Sequence, residues 1–314
     1  MNPSVWQVSG GPIQRAYEDV FLRHGVALIG PGDAGPFNPN RPDRSEDVVR
    51  RFATEMRAGD ILLLRSGISS IRAIGIVDGN YQYLPQFDDV NGWDLQHARR
   101  VRWYTLPSAY SFEGSVFGGS PPRLSRINQP GILDYAFRFV YSPPDAWKSA
   151  ALPALPPELP DLDDIPTWLQ PLVAQIRDLF DLYQDPVTFG DLPAEDELIV
   201  HDVVPLFRAL GWPVERIAVK WRYVDITLFR ALPRTPDNCA FIIEAKRIGA
   251  GVEGALEQAQ GYLNSLGISR DIIVTDGIRY RLYSASHNFE PVGYANMARL
   301  KQPALQLFEY IRRP

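Results

Sequence analysis

The chain has 314 residues, 45% hydrophobic and 22% charged, a length that suits two domains and a composition that excludes a disordered protein. No apolar run of about 18 residues occurs, and Met1-Asn2-Pro3-Ser4-Val5-Trp6 has no basic segment ahead of an apolar one, so neither membrane span nor signal peptide is expected and a cytoplasmic protein is predicted. One cysteine, Cys239, excludes an internal disulfide and Cys-rich zinc modules; the net charge of −5 is concentrated in residues 142–192, with each flank slightly basic.

In chain order, strands are predicted over 5–8, 26–29, 60–65, 71–77 and 99–103, each bounded by Gly, Pro or Asp. Helices over 12–24 and 45–56 interrupt them, the second capped by Ser45. Residues 1–141 are therefore expected to form a small α+β barrel with inserted helices. Eight prolines between Ser142 and Pro171, in an acidic setting, predict an extended connector over 142–166. Leu169, Leu172, Val173, Ile176, Leu179 and Phe180 follow at helical spacing and predict a bridging helix over 167–184.

From 193 the rhythm changes. A helix over 193–210 ends at Gly211-Trp212-Pro213. Strands over 214–219, 223–230 and 239–246 are followed by a helix over 252–266. A hairpin over 271–275 and 278–283 turns at Asp276-Gly277. The order is α-β-β-β-α-β-β, so the chain combines α/β and α+β architecture. Arg is its default cation; the only lysines are Lys148, Lys220, Lys246 and Lys301.

Asp225 lies near the start of the second strand of that unit, and Phe241-Ile242-Ile243-Glu244-Ala245-Lys246 forms the third. Alternation puts Glu244 and Lys246 on one face, Ile243 and Ala245 on the other. Ending an apolar strand with such a polar pair is costly unless the pair has a purpose. Two carboxylates on adjacent strands beside a lysine suit Mg²⁺, which would polarise a phosphate and lower the pKa of a water. Lys246 would orient that water or offset charge in the transition state. Taken singly, each of these residues is as readily a solvent-facing strand residue.

Over about 185–290 the ordered set resembles the PD-(D/E)xK nucleases, above all the nuclease domain of type I restriction motor subunits. Pro205-Leu206-Phe207-Arg208-Ala209-Leu210-Gly211-Trp212 is similar to that group's helix end, Val224-Asp225-Ile226-Thr227-Leu228 and Ile243-Glu244-Ala245-Lys246 to its strand motifs, and Gln258-Ala259-Gln260-Gly261-Tyr262 to its QxxxY helix. The resemblance implies Mg²⁺ (or Mn²⁺) on Asp225 and Glu244, hydrolysis assisted by Lys246, and support from Gln258 and Tyr262. It also implies a first-helix acid, for which Glu195 is favoured by spacing and Glu197 competes. No NTPase motif is present, so no ATP requirement is expected.

Residues 1–141 resemble the EVE branch of the PUA-like β-barrels, through Val5-Trp6-Gln7-Val8, Ala58-Gly59-Asp60-Ile61-Leu62-Leu63, Ile74-Gly75-Ile76-Val77, Tyr81-Gln82-Tyr83 and His97–Trp103. This resemblance implies a pocket for a flipped, modified base, for which Trp6, Tyr81, Tyr83 and Trp93 are the candidate aromatics and Ser9-Gly10-Gly11 the close-approach segment. Barrel core is the competing reading for each aromatic. Arg99, Arg100 and Arg102 are candidate phosphate contacts, or else a solvated strand end. Together the resemblances imply a modification-dependent endonuclease acting on double-stranded DNA with a modified, cytosine-derived base, cutting as a homodimer in defence against phage. A modification-independent nuclease and a binding-only reader are the alternatives.

Overall fold

A computed structural model describes residues 3–12, 16–32, 35–39, 47–148, 151–185, 187–190, 193–248, 251–252 and 254–312; Ser45, expected as a helix cap, lies outside them. The chain divides into two compact units, Met1–Glu158 and Leu159–Pro314.

The first unit holds strands β1 (Val5–Ser9), β2 (Val26–Ile29), β3 (Ile61–Ser66), β4 (Ser70–Val77), β5 (Gln82–Tyr83), β6 (His97–Ser111) and β7 (Leu124–Arg126), with helices α1 (Glu18–His24), α2 (Asp47–Thr54), α3 (Pro130–Tyr141) and α4 (Asp145–Lys148). The sheet runs β2-β6-β4-β3-β1-β7, with β5 on β6; β1 and β3 are parallel and the other pairs antiparallel. β6 spans 15 residues because its first rungs pair with β2 and the rest with β4, which curls the sheet. The expected strand over 99–103 is only part of it. Pro107 falls in a bulge where the β4 register jumps, the place a sheet tolerates proline. The expected barrel thus takes the form of an open sheet whose pairing ends at β2 and β7.

Period-two alternation separates two cores. Trp6, Val8, Leu62 and Leu64 face Phe21 and Phe52 from α1 and α2. Val5, Ile61, Leu63 and Ile74 face Ile132 and Ala136 from α3. Helix α3 was not anticipated because its aromatic and β-branched residues favour strand; burying one face of it overrides that preference.

The segment expected as connector is not a free spacer. Trp147 is buried, its indole N–H donating to the Arg102 carbonyl at 3.1 Å, and Leu155 packs on the first unit's core. Leu162 and Ile165 pack on the core of the second unit, where the Leu162 N–H donates to the Leu300 carbonyl at 2.7 Å. Proline blocks helix and ladder, yet the apolar residues between the prolines still find surfaces to bury against.

The second unit holds α5 (Gln170–Gln184); α6 (Glu195–Leu198), continuing through a π-turn (Ile199–Val203) into α7 (Val204–Ala209); β8 (Ile217–Trp221), β9 (Val224–Phe229) and β10 (Cys239–Ala245); α8 (Ala255–Leu266); β11 (Asp271–Thr275), β12 (Arg279–Ser284) and β13 (Glu290–Asn296); and α9 (Gln302–Ile311). The sheet order is β13-β12-β11-β10-β9-β8. β10 and β11 are parallel, joined by the α8 crossover that such a pair needs. Gly267, left-handed at φ 65°, ends α8. Ile226, Leu228, Ile243, Ala245 and Ile273 bury against α5, α7 and α9, while Ile242, Ile272 and Val274 bury against α8. The mixed α/β class is as expected; β13 and α9 extend the anticipated order.

Candidate active site

The β9–β10 ladder pairs Ile243 with Ile226, and one step further Asp225 and Glu244 stand opposite each other. There the regular rung is replaced by a side chain: the Asp225 carboxylate accepts the Ala245 N–H at 2.8 Å. Glu244 is 1% exposed and Asp225 6%. Because Lys246 shares a face with Glu244, its Nζ reaches Glu244 Oε1 at 2.8 Å. The same ammonium donates to Gln258 Oε1 at 3.0 Å, and Gln258 Nε2 donates to the Tyr262 hydroxyl at 2.8 Å. Gln258 and Tyr262 lie one turn apart on α8, so a single helix face holds the lysine from outside the sheet. Glu244, Lys246, Gln258 and Tyr262 form one continuous polar chain, with Asp225 tied in beside it through the Ala245 N–H.

Burial pushes the Glu244 carboxyl up to about 7; Lys246 opposes this, and the nearby Asp225 and Glu195 carboxylates add to it. Glu197 instead acts on Asp202 and Tyr183. The two candidate first-helix acids thus look in different directions, and Glu195 is the one within electrostatic reach of Glu244.

Glu244 Oε2 is buried without a hydrogen-bond partner, beside a second carboxylate. A divalent cation fits that arrangement: it would satisfy the orphaned oxygen and relieve the repulsion, through the hard oxygen ligands Mg²⁺ takes. Among the described residues no group of three or more His, Cys, Asp or Glu side chains makes a metal centre. Asp225 and Glu244 would therefore supply two ligands and leave the remainder to water and substrate, as is usual for Mg²⁺.

Two further groups escaped the sequence reading. Lys220 donates to Asp225 Oδ1 at 2.7 Å and forms an ion pair with Asp196 at 3.0 Å. Its signal was its rarity as a lysine. Asp202, on the π-turn, is 0% exposed with both carboxylate oxygens unpartnered. An acid on the apolar stripe of Leu198, Ile199, Val203 and Leu206 was the available sign.

In the first unit the candidates separate. Trp6 is 1% exposed, and its indole N–H donates to Asp60 Oδ2 at 2.9 Å. It also lines a cleft of about 740 Å³ with Arg57, Asp60 and Arg126. Asp60 additionally accepts the N–H groups of Ser4 and Arg57, so it pins the start of β1 to the turn before β3. Tyr81 and Tyr83 do come together, around His97. The Pro31 carbonyl can only accept, so His97 Nε2 donates to it at 2.9 Å and Nδ1 accepts the Tyr81 hydroxyl at 2.7 Å. The Tyr81 oxygen accepts the Phe37 N–H at 2.9 Å, and the Tyr83 hydroxyl donates to the Gly32 carbonyl at 2.6 Å. Trp93 packs edge-on to Tyr17, and Ser9 Oγ accepts the Gly11 N–H at 3.2 Å.

The three arginines do not form one basic face. Arg99 is 3% exposed and points inward, donating to the carbonyls of Phe52, Ala53, Met56 and Gly79. It caps the carboxyl end of α2, where carbonyls lack helical partners. Arg100 and Arg102 share the other face. Arg100 is held by the Gly25 and Pro153 carbonyls, and Arg102 pairs with Asp78 at 3.2 Å across exposed surface.

Residues 6–113, inside the first unit, match a family model described as a domain of unknown function (DUF8426). No curated protein matches the chain. Among solved structures, a fragment described as an HsdR subunit of a type I restriction enzyme from Vibrio vulnificus YJ016 is similar at 19% identity, covering 38% of this chain and 26% of that one, with a TM-score of 0.26. The match thus spans about a quarter of that fragment's length, and the TM-score is too low to establish a shared fold. Among the described residues no helix is long and apolar enough to cross a membrane.

Proposed function

We propose that the second unit is a divalent-metal-dependent endonuclease of the PD-(D/E)xK kind, hydrolysing phosphodiester bonds in double-stranded DNA. The observation that carries this reading is the grouping of Asp225, Glu244 and Lys246, with one Glu244 oxygen buried and unpartnered. Asp225 and Glu244 would hold Mg²⁺ or Mn²⁺, which when bound supplies Lewis-acid polarisation and a more acidic water. Lys246, held by Glu244 and Gln258, would donate to a phosphate oxygen and offset its developing charge. Glu195 adds negative field to the cation site. No step in this scheme calls for ATP.

The first unit, on this reading, is an EVE-like sensor of a modified, cytosine-derived base. Two copies of the chain would cut the two strands in a restriction system against phage DNA. The Tyr81–Tyr83–His97 cluster supports a pocket there. A second reading, a nuclease indifferent to modification, is favoured by the structural duties of Trp6 and Arg99.

One panel tests both. The full chain is incubated without ATP with unmodified, methylated, hydroxymethylated and glucosylated duplexes, in Mg²⁺, Mn²⁺ or EDTA. Cleavage of modified duplexes only, abolished by EDTA, is expected. Equal cleavage of all duplexes would favour the second reading. No cleavage in any arm, or cleavage that persists in EDTA, would overturn the metal-dependent nuclease.

A further inference from the structure

β8 and β9 form a hairpin whose Trp221–Val224 pair flanks a two-residue turn, Arg222-Tyr223. Both turn residues have positive φ, 49° and 73°, the twist such hairpins need but one normally given to Asn or Gly. Lys220, just before the turn, is also left-handed at φ 54°. Three such residues within four positions are costly for side-chain-bearing residues, and strain of this kind persists where the surroundings enforce it. What it achieves here is direction. Between the Val219–Ile226 and Trp221–Val224 pairs, the register sets Lys220 opposite Asp225. The ammonium then lies 2.7 Å from Asp225 Oδ1 and 3.0 Å from Asp196 Oδ1 on the first turn of α6. Partial burial works against this ammonium, but its hydrogen bonds to Asp225 and Asp196 outweigh it.

We propose that Lys220 is a built-in counter-ion for the cation site: it neutralises Asp225 while the divalent metal is absent and is retained by Asp196 when the metal takes Asp225. The inference rests on the reading of Asp225 and Glu244 as metal ligands. A divalent ion on Asp225 repels an ammonium at 2.7 Å, and the second carboxylate gives that ammonium somewhere to go without leaving the site. Lys220 is thus a positioning residue that competes with the metal, and Asp196 lowers the cost of the exchange.

Competition gives the two residues opposite signs in a binding titration. With the full chain and Mn²⁺, free ion followed by its EPR signal, Lys220→Gln should bind about two- to fivefold more tightly, the range for losing a partly exposed ion pair. Asp196→Asn should bind more weakly, and only while Lys220 is present; in the Lys220→Gln background it should have no effect. Unchanged or weaker binding by Lys220→Gln overturns the proposal. So does an equal loss from Asp196→Asn in both backgrounds, which would mean that Asp196 acts through its field alone. Should Lys220→Gln fail to fold, as read from its thermal midpoint, Asp196→Asn binding as wild type overturns the proposal by itself. Glu244→Gln separates the underlying reading: if Mn²⁺ binding survives it undiminished, the metal site itself is wrong, whereas its loss leaves the Lys220 result to stand or fall alone.

Discussion

The Asp225 carboxylate accepts the Ala245 backbone N–H at 2.8 Å, fastening the acid of one strand to its neighbour one residue past Glu244. This bond separates folding from chemistry. Asp225→Asn keeps an oxygen for the Ala245 N–H and should unfold near the wild-type temperature. Asp225→Ala leaves that buried donor unpaired, at a cost of about 1–3 kcal/mol. Both variants should lose at least about 10²-fold in cleavage, the scale for removing one key electrostatic group. Thermal midpoints measured beside cleavage rates check this. An Asn variant that cuts like wild type would exclude Asp225 from the chemistry.

Gln258 is held on both sides, accepting from Lys246 and donating to Tyr262. Because its side chain lies near the surface, Gln258→Ala should leave the thermal midpoint within about a degree or two, as exposed substitutions generally do. Losing the acceptor frees Lys246 to wander. The expected result is a fall in kcat of about tenfold or more with KM little changed, the scale for supporting partners of a site. Tyr262→Phe, one link further away, should lose less. A fall confined to KM would make Gln258 a DNA contact instead.

The second unit's candidate site was legible because its residues lie in short-range patterns. Strand alternation sets Glu244 and Lys246 together, and the one-turn spacing of Gln258 and Tyr262 sets them on one helix face. The choice between Glu195 and Glu197 was not legible, since a two-residue difference on a helix turns a side chain by more than half a circle and only packing fixes the zero. Lys220 needed the hairpin register and three positive φ values that nothing in Val219-Lys220-Trp221-Arg222-Tyr223 announces. In the first unit the residue types that suggest a base pocket are also those that build cores. Trp6 and Arg99 fit both descriptions until their partners are known, and those partners lie far away in sequence, at Asp60 and at Phe52–Met56.

Arg99 and Arg102 therefore should behave as opposites. Arg99→Ala removes the donor to several buried carbonyls at the end of α2 and should destabilise the first unit by about 2–4 kcal/mol, as charged hydrogen bonds in a buried network do. Arg102→Ala breaks one exposed pair and should shift stability by less than about 0.5 kcal/mol. If the outer face meets DNA, Arg102→Ala also lowers the salt dependence of binding, by about one unit of slope per phosphate lost. Binding titrations across salt concentrations, paired with urea unfolding, distinguish the two. Equal destabilisation by both changes would contradict the inward assignment of Arg99.

Asp202 should make the second unit's stability depend on pH. Its carboxyl is buried with both oxygens unpartnered, and Gly277 of the β11–β12 turn abuts it so closely that an added Cβ would lie 3.0 Å from Oδ2. Burial, with Glu197 adding, pushes its pKa up to about 7, against about 3.9 in an unfolded chain. The sign follows from proton counting. Between those values the folded form holds a proton that the unfolded form has lost, so stability falls as pH rises, by about 1.4 kcal/mol per unit at most. Below the lower value the group contributes no penalty; above the higher one the penalty is constant. Asp202→Asn has a similar shape and no charge to bury, so its advantage over wild type should grow between about pH 5 and about pH 7, by up to roughly 2–3 kcal/mol, and then level off. Urea unfolding of both proteins across that range measures the gap. A gap that stays flat from acid to mildly alkaline pH would show that Asp202 finds, in the folded protein, a partner able to stabilise its charge.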